Sequence, residues 1–200
     1  MKLSCVVCDV KTFFLSASVP APDRDPKYHS TADVVAIRDC IKALVSTVVP
    51  SGQLVFGGHP AITPLVRLMI QRRKIEVRRH VIVYVSTFYT QDFPPALSKF
   101  EEVRKVPAVG DDAEASKAAL RKAMIGAFDY AAGIFIGGMD GVEEEYALFR
   151  AAHPKAPTYP IASTGAASSI LFNKYQSHEH VLEHELTYPT LFRRLLHARP

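Results

Sequence analysis

The chain has few cysteines and no long apolar run, and each shortage narrows what it can be. Three cysteines in 200 residues are an odd, low count, so reduced thiols in a cytoplasm are expected rather than a disulfide framework. Cys5 and Cys8 form a C-x-x-C, but no thioredoxin-like helix pattern follows it and Cys40 is the one further sulfur ligand. Buried or frayed thiols are the plain reading, with redox or zinc chemistry as alternatives. No apolar stretch approaches the ~18 residues that a bilayer span needs. The opening "MKLSCVVCDVK" is briefly apolar, but Asp9 and Lys11 interrupt it too early for a signal peptide. Repeats and low-complexity tracts are missing. So are a G-x-S-x-G elbow and a Walker lysine motif, which sets aside serine hydrolases and P-loop NTPases. The net charge of +4 is mild, and the basic residues are spread out apart from "QRRKIEVRR". That run reads as a solvated helix end rather than a nucleic-acid surface. No nucleic acid, membrane, cofactor or metal is expected.

What is present suits one globular domain spanning 1–200. The apolar runs "TFFLSAS", "LVFGG", "VIVYVS", "AGIFIGG" and "TYPIAST" are short and nearly continuous, as in strands buried on both faces of a parallel sheet. Helical patterns lie between them. "TADVVAIRDCIKALVSTVV" carries apolar residues at 34, 35, 37, 41, 44, 45 and 48, with Thr31 as the expected N-cap. "HPAITPLVRLMIQRR" places Pro60 in an expected first helical turn. Further helices are expected over "DDAEASKAALRKAMIGAF", "GVEEEYALFRAA", "GAASSILFNKY" and "YPTLFRRLLHA". The alternation predicts an α/β, Rossmann-like, doubly wound, mainly parallel sheet. The stretch 87–112 reads as an irregular insertion, long enough to be functional or mobile. It carries Phe88, Tyr89 and Phe93, placed either to stack on a base or to pack locally.

Three strand ends carry small-residue turns that open helices: "GGHPAI" at Gly57 and Gly58, "GGMDGVEEE" at Gly137, Gly138 and Gly141, and "STGAAS" at Ser163, Thr164 and Gly165. The first strand ends in Ser16 and Ser18. A parallel sheet gathers these turns along its carboxyl edge, where helix N-termini favour anions and glycines admit a close ligand. His59, beside the first pair of glycines, could donate to a phosphate or be an ordinary hydrogen-bonded residue. In the second turn Asp140 joins the candidate site, and Glu143, Glu144 and Glu145 follow it. As helix starters these carboxylates favour the dipole and need no ligand. One of them could instead accept ribose hydroxyls, or assist chemistry at a glycosidic carbon.

"GGMDGVEEE" resembles the "PGGxGTxxE" signature of the LOG-like (lysine decarboxylase-like) proteins of the SLOG superfamily. The arrangement "FLSAS…LVFGGHPAITPLV…FIGGMDGVEEEYALF…ASTGAAS", from about Phe13 to Leu171, is most similar to a stand-alone SLOG family of bacterial nucleotide-signalling and conflict systems. The resemblance implies a Rossmannoid fold, a nucleotide-derived ligand, and a homodimer, to which the final "LFRRLL" helix could contribute. The superfamily's enzymatic branch cleaves the N-glycosidic bond of nucleoside monophosphates with an Arg from an "RKxxM" helix and the Glu of the signature. By that resemblance Arg121 of "LRKAM" and Glu145 are the catalytic candidates. Ile136 replaces the signature proline, Asp140 is an extra residue in the turn, and Val142 replaces the threonine.

"HVLEH", His180 to His184, matches the H-x-x-E-H zinc pattern, but no other segment supports a peptidase. The sequence thus points first to binding or sensing of a nucleotide or ADP-ribose-like ligand. The alternatives are a nucleoside-monophosphate N-glycosidase and a structural partner protein with a vestigial pocket.

Overall fold

The structure, a computed structural model, describes residues 10–23, 25–73, 80–92, 95–175 and 179–197. Cys5, Cys8, Phe93 and most of "QRRKIEVRR" lie outside the described residues. The elements are β1 (Thr12–Ser18), α1 (Pro26–His29), α2 (Val34–Val48), β2 (Gln53–Gly57), α3 (Thr63–Arg73), β3 (Val81–Ser86), β4 (Glu102–Val106), α4 (Ala113–Ile125), β5 (Tyr130–Gly137), α5 (Asp140–Ala152), β6 (Thr158–Ile161), α6 (Ala166–Lys174), α7 (Val181–His184) and α8 (Tyr188–His197). Six strands form one sheet in the order β4-β3-β2-β1-β5-β6, and every pairing is parallel.

The continuous apolar runs have the expected cause. Phe13 and Leu15 join a core with α2, α3 and α8, while Phe14 between them joins a second core with α4, α5 and α6. The same alternation divides Leu54 and Phe56 from Val55, and Val83 from Ile82 and Tyr84. Alternate side chains point to opposite faces of a strand, so a sheet covered on both faces needs apolar residues at nearly every position. The chain runs outward from β1 to β4 and then returns to β5 on β1's other side. That reversal between β1 and β5 is the switch point where open α/β sheets bind ligands.

Three local expectations change. Asp33, not Thr31, caps α2, accepting the Ala36 amide at 2.9 Å. Its stripe begins later than expected, because Val34 and Val35 are exposed. Pro60 precedes α3 in a turn, and Pro64 occupies the first helical turn instead. The stretch 87–112 contains two short 3₁₀ segments, Thr87–Asp92 and Pro95–Lys99, and the edge strand β4. β4 escaped notice because its sequence, "EVRKV", is charged and only half-buried, as suits an edge strand.

Candidate functional site

A cleft of about 710 Å³ opens at the carboxyl ends of β1, β2 and β3, bounded by α4 and the start of α5. It is lined by Ser16, Ser18, Gly57, Gly58, His59, Tyr84, Ser86, Tyr89, Lys117, Arg121, Met139, Asp140, Gly141 and Glu145, among others. Two of the three turns therefore meet there. The third does not, and Gly137 and Gly138 are set back from the lining.

Hydrogen bonding accounts for this division. The Gly137 amide donates to Thr164 Oγ1 at 2.9 Å, and the Gly138 amide to the Ser18 carbonyl at 2.9 Å. Gly138 has φ +90°, and a Cβ there would stand 2.3 Å from Val142 Cγ2. It carries the turn rather than opening space for a ligand. The third turn is filled by the chain's own crossover. Thr31 Oγ1 accepts the Ala166 amide at 3.0 Å, the Thr164 carbonyl accepts the Asp33 amide at 3.2 Å, and a Cβ on Gly165 would lie 1.8 Å from the Thr31 carbonyl oxygen. The Ser163 hydroxyl faces the Glu185 carbonyl and Tyr188 Oη, each at 3.3 Å.

The first turn is also largely self-satisfied. The Gly58 amide donates to Tyr84 O, and the His59 carbonyl accepts the amides of Ile62 and Thr63. His59 Nδ1 accepts the Ala61 amide at 3.2 Å. A nitrogen that accepts cannot carry the ring proton, so the neutral ring holds it on Nε2. Burial lowers the pKa of His59, which favours that neutral form.

The start of α5 differs from the other turns in its amides. The Val142 and Glu143 amides turn back to the Met139 carbonyl, whereas those of Asp140 and Gly141 have no partner among the described residues. Arg121 lies against them, with Nη2 3.1 Å from where a Gly141 Cβ would be. Lys117, one helical turn earlier on α4, faces the same cleft and donates to Glu114 Oε1 at 2.7 Å. Sequence reasoning missed Lys117, although its i,i+4 spacing to Arg121 places both on one helix face. It also missed Ser86, whose position at the end of β3 was the available signal.

Three consecutive carboxylates point in three directions, because each helical residue turns about 100°. Glu143 accepts the Tyr28 hydroxyl at 2.5 Å, with Lys27 Nζ 3.8 Å away. Glu144 is exposed and pairs with Arg121 Nη1. Glu145 enters the cleft, where its Oε1 lies 3.8 Å from Arg121 Nε. Burial raises its pKa, Ser16 and Arg121 oppose that rise, and Glu144 adds to it. Phe88 and Tyr89 pack edge to face at 4.9 Å, but Tyr89 also lines the cleft. In "HVLEH", His184 Nε2 pairs with its neighbour Glu183 at 3.2 Å, and no cluster of His, Cys, Asp or Glu able to hold a metal is found among the described residues. No described helix is long and apolar enough to cross a membrane.

The X-ray structure of TM1055, a Northeast Structural Genomics Consortium target, is similar with a TM-score of 0.55 at 16% identity, covering 82% of this chain and 81% of that one. At that identity the likeness shows the fold. A search of curated protein sequences gives no match. The model of the SLOG cluster3 family matches residues 27–196. The chain belongs to the SLOG cluster3 family, and that membership supports a nucleotide-related function.

Proposed function

We propose that the protein binds or senses a nucleotide-derived ligand, a nucleotide or an ADP-ribose-like molecule, within a bacterial signalling or conflict system. One observation carries this reading: the Asp140 and Gly141 amides, unpartnered among the described residues, and Arg121 stand by the same cleft as the Glu145 carboxylate, a set of groups suited to an anion beside a sugar. The cleft's 710 Å³ lies within the range of small-molecule sites, roughly 300–1,000 Å³. Mass spectrometry of whatever copurifies with the protein tests the reading. Thermal melts with AMP, CMP and ADP-ribose complement it, since a ligand at a hundredfold excess over its Kd stabilises the fold by about 2.7 kcal/mol. No copurifying nucleotide and no shift with any of these compounds would count against it.

A second reading, nucleoside-monophosphate N-glycosidase, is favoured by the approach of Glu145 to Arg121. Glycosidic cleavage passes through an oxocarbenium-like state, which a carboxylate stabilises or attacks through an activated water. Binding ranks first because Asp140, an extra residue relative to the enzymatic signature, shifts the helix start and with it Glu145 relative to a bound phosphate, and an ångström-scale shift can cost about 100-fold in rate. Release of free base from AMP or CMP, lost in Glu145→Gln, would reverse the order.

The homodimer is likewise a proposal. Leu191, Phe192 and Leu196 of α8 are buried in the chain's own core, so the apolar pairs of "LFRRLL" are already used. Any dimer must draw on other surface, such as the exposed Leu186, Val34 and Val35. Light scattering that gives a monomer at high micromolar concentration overturns it.

A further inference from the structure

Ser16 carries a hydroxyl that is only partly used among the described residues: its one near partner is the Glu145 carboxylate. The residue is 2% exposed, and its Oγ has no hydrogen bond of good geometry among the described residues. Three other buried hydroxyls at this end of the sheet are engaged. Ser168 donates to the Phe135 and Gly137 carbonyls, Thr164 to the Ile161 carbonyl, and Ser86 accepts the Phe88 amide. Native structures rarely bury an unpaired hydroxyl, and Ser16 is among the residues that line the ligand cleft.

Its surroundings specify the missing partner. Ser16 stands close enough to Glu145 to help hold that carboxylate charged. A serine hydroxyl has one proton to donate, while a carboxylate only accepts. Glu145 also follows Gly141 by four residues, one helical turn of about 5.4 Å along α5. A phosphate held by the Gly141 amide and Arg121 therefore leaves Glu145 about one sugar ring away. The apolar and aromatic lining, Phe56, Tyr84 and Tyr89, is left for a base.

We propose that Ser16 and Glu145 together grip the 2′,3′-cis-diol of a ribosyl ligand, so that the cleft selects ribonucleotides over 2′-deoxyribonucleotides. The carboxylate accepts both sugar hydroxyls, and Ser16 donates to the 2′-oxygen. The inference rests on the nucleotide-binding reading and adds to it which sugar is chosen and by which residues. A sugar without the 2′-hydroxyl leaves Ser16 unpaired again and removes one hydrogen bond to a charged group.

Calorimetric titration of the full chain with AMP, GMP, CMP, UMP and ADP-ribose, each beside its 2′-deoxy counterpart, tests this. In the wild type, each ribo compound that binds should do so at least ~10-fold more tightly than its deoxy partner. Ser16→Ala and Glu145→Gln should each bring that ratio towards one. Arg121→Gln should weaken both members of a pair and preserve the ratio. Equal binding of ribo and deoxy partners in the wild type, or an unchanged ratio in Ser16→Ala, overturns the inference and leaves nucleotide binding standing. If Ser16 served only to orient Glu145, its removal would weaken both partners alike, which also overturns it. Failure of all ten compounds to bind removes the nucleotide reading, and the inference with it.

Discussion

Arg121 divides its guanidinium between two neighbouring carboxylates, with Nη1 on the exposed Glu144 and Nε 3.8 Å from Oε1 of Glu145 inside the cleft. The arginine side chain is itself 13% exposed, against 54% for Glu144 and 20% for Glu145. The outer pair is screened by water, the inner one much less so. Adjacent acids on one helix therefore differ in surroundings, although composition and spacing alone present them as equivalent helix starters.

Glu144→Gln should accordingly cost little stability, under about 1 kcal/mol for so exposed a partner. By removing a competitor for Arg121, it should leave binding of a phosphate-bearing ligand equal or stronger. Glu145→Gln should weaken ribonucleotide binding by about 1.5–3 kcal/mol, the worth of a hydrogen bond to a charged group. If the protein is an enzyme, the same variant should slow base release by about 100-fold or more. Chromatographic detection of free base, beside titration of both variants, separates these outcomes. Equal losses in the two variants would contradict the division of roles.

The glycines of the second turn should part in the same way. Gly138→Ala combines a left-handed backbone, φ +90°, with a Cβ 2.3 Å from Val142. Strain and overpacking together should lower stability by about 2–5 kcal/mol. Gly141→Ala meets only the flexible end of Arg121, at 3.1 Å. Because Gly141 lies in the first turn of α5, that exchange favours folding by at most about 0.5–1 kcal/mol, the value for a helix interior. It should keep or raise the melting temperature while displacing Arg121 and weakening anion binding. Urea unfolding and ligand titration of the two variants check this, and a Gly141→Ala protein that binds as tightly as wild type would argue against Arg121 as the anion contact.

The third turn makes a stability prediction with no expected binding effect. Thr31→Val removes the acceptor of the Ala166 amide and leaves a partly buried donor unpaired, at about 1–3 kcal/mol. Ligand affinity should stay within about twofold, because this turn is closed by Thr31 and Asp33 rather than by ligand. A large loss of affinity at unchanged melting temperature would place the ligand here after all.

These contrasts mark how far the sequence could be read. Strand runs such as "VIVYVS" revealed a sheet buried on both faces, because burial on two sides forces apolar residues at every position. The glycine turns revealed which edge mattered. The fates of their amides were hidden, since Gly137 pairs with Thr164 and Thr31 seals Ala166 across separations of 27 and 135 residues. Local patterns carry no record of such contacts. Glu145 was singled out through a motif, but what separates it from Glu143 is Tyr28, 115 residues away, which claims the latter. Ser16 stood out as part of the polar end of the first strand, but nothing in the sequence showed that its hydroxyl is short of partners.

The last prediction concerns pH and again turns on Glu145. Burial is the largest influence on this carboxyl and raises its pKa above the ordinary 4.5. Between 4.5 and the raised value, the folded protein holds a proton that the unfolded chain has released. Stability therefore falls as pH rises through that window. Below the window both states are protonated and the group makes no difference; above it the cost of a mostly buried charge, reduced by Ser16 and Arg121, is present. Glu145→Gln has no such charge, so the ligand-free variant should be more stable than wild type at pH 7, with the gap closing as pH falls towards 4. His59 acts in the opposite sense, because burial lowers its pKa below 6.5 and stability rises with pH between its lowered value and the ordinary one. Both proteins keep His59, so it cancels in the comparison. Urea unfolding of wild type and Glu145→Gln at pH 4, 5, 6, 7 and 8 measures the gap directly. A constant gap across that range would mean that Glu145 is not the strained group. A gap that opens with pH, in a variant that binds ribonucleotides less well, would show that the fold keeps a destabilising carboxylate for the sake of its ligand.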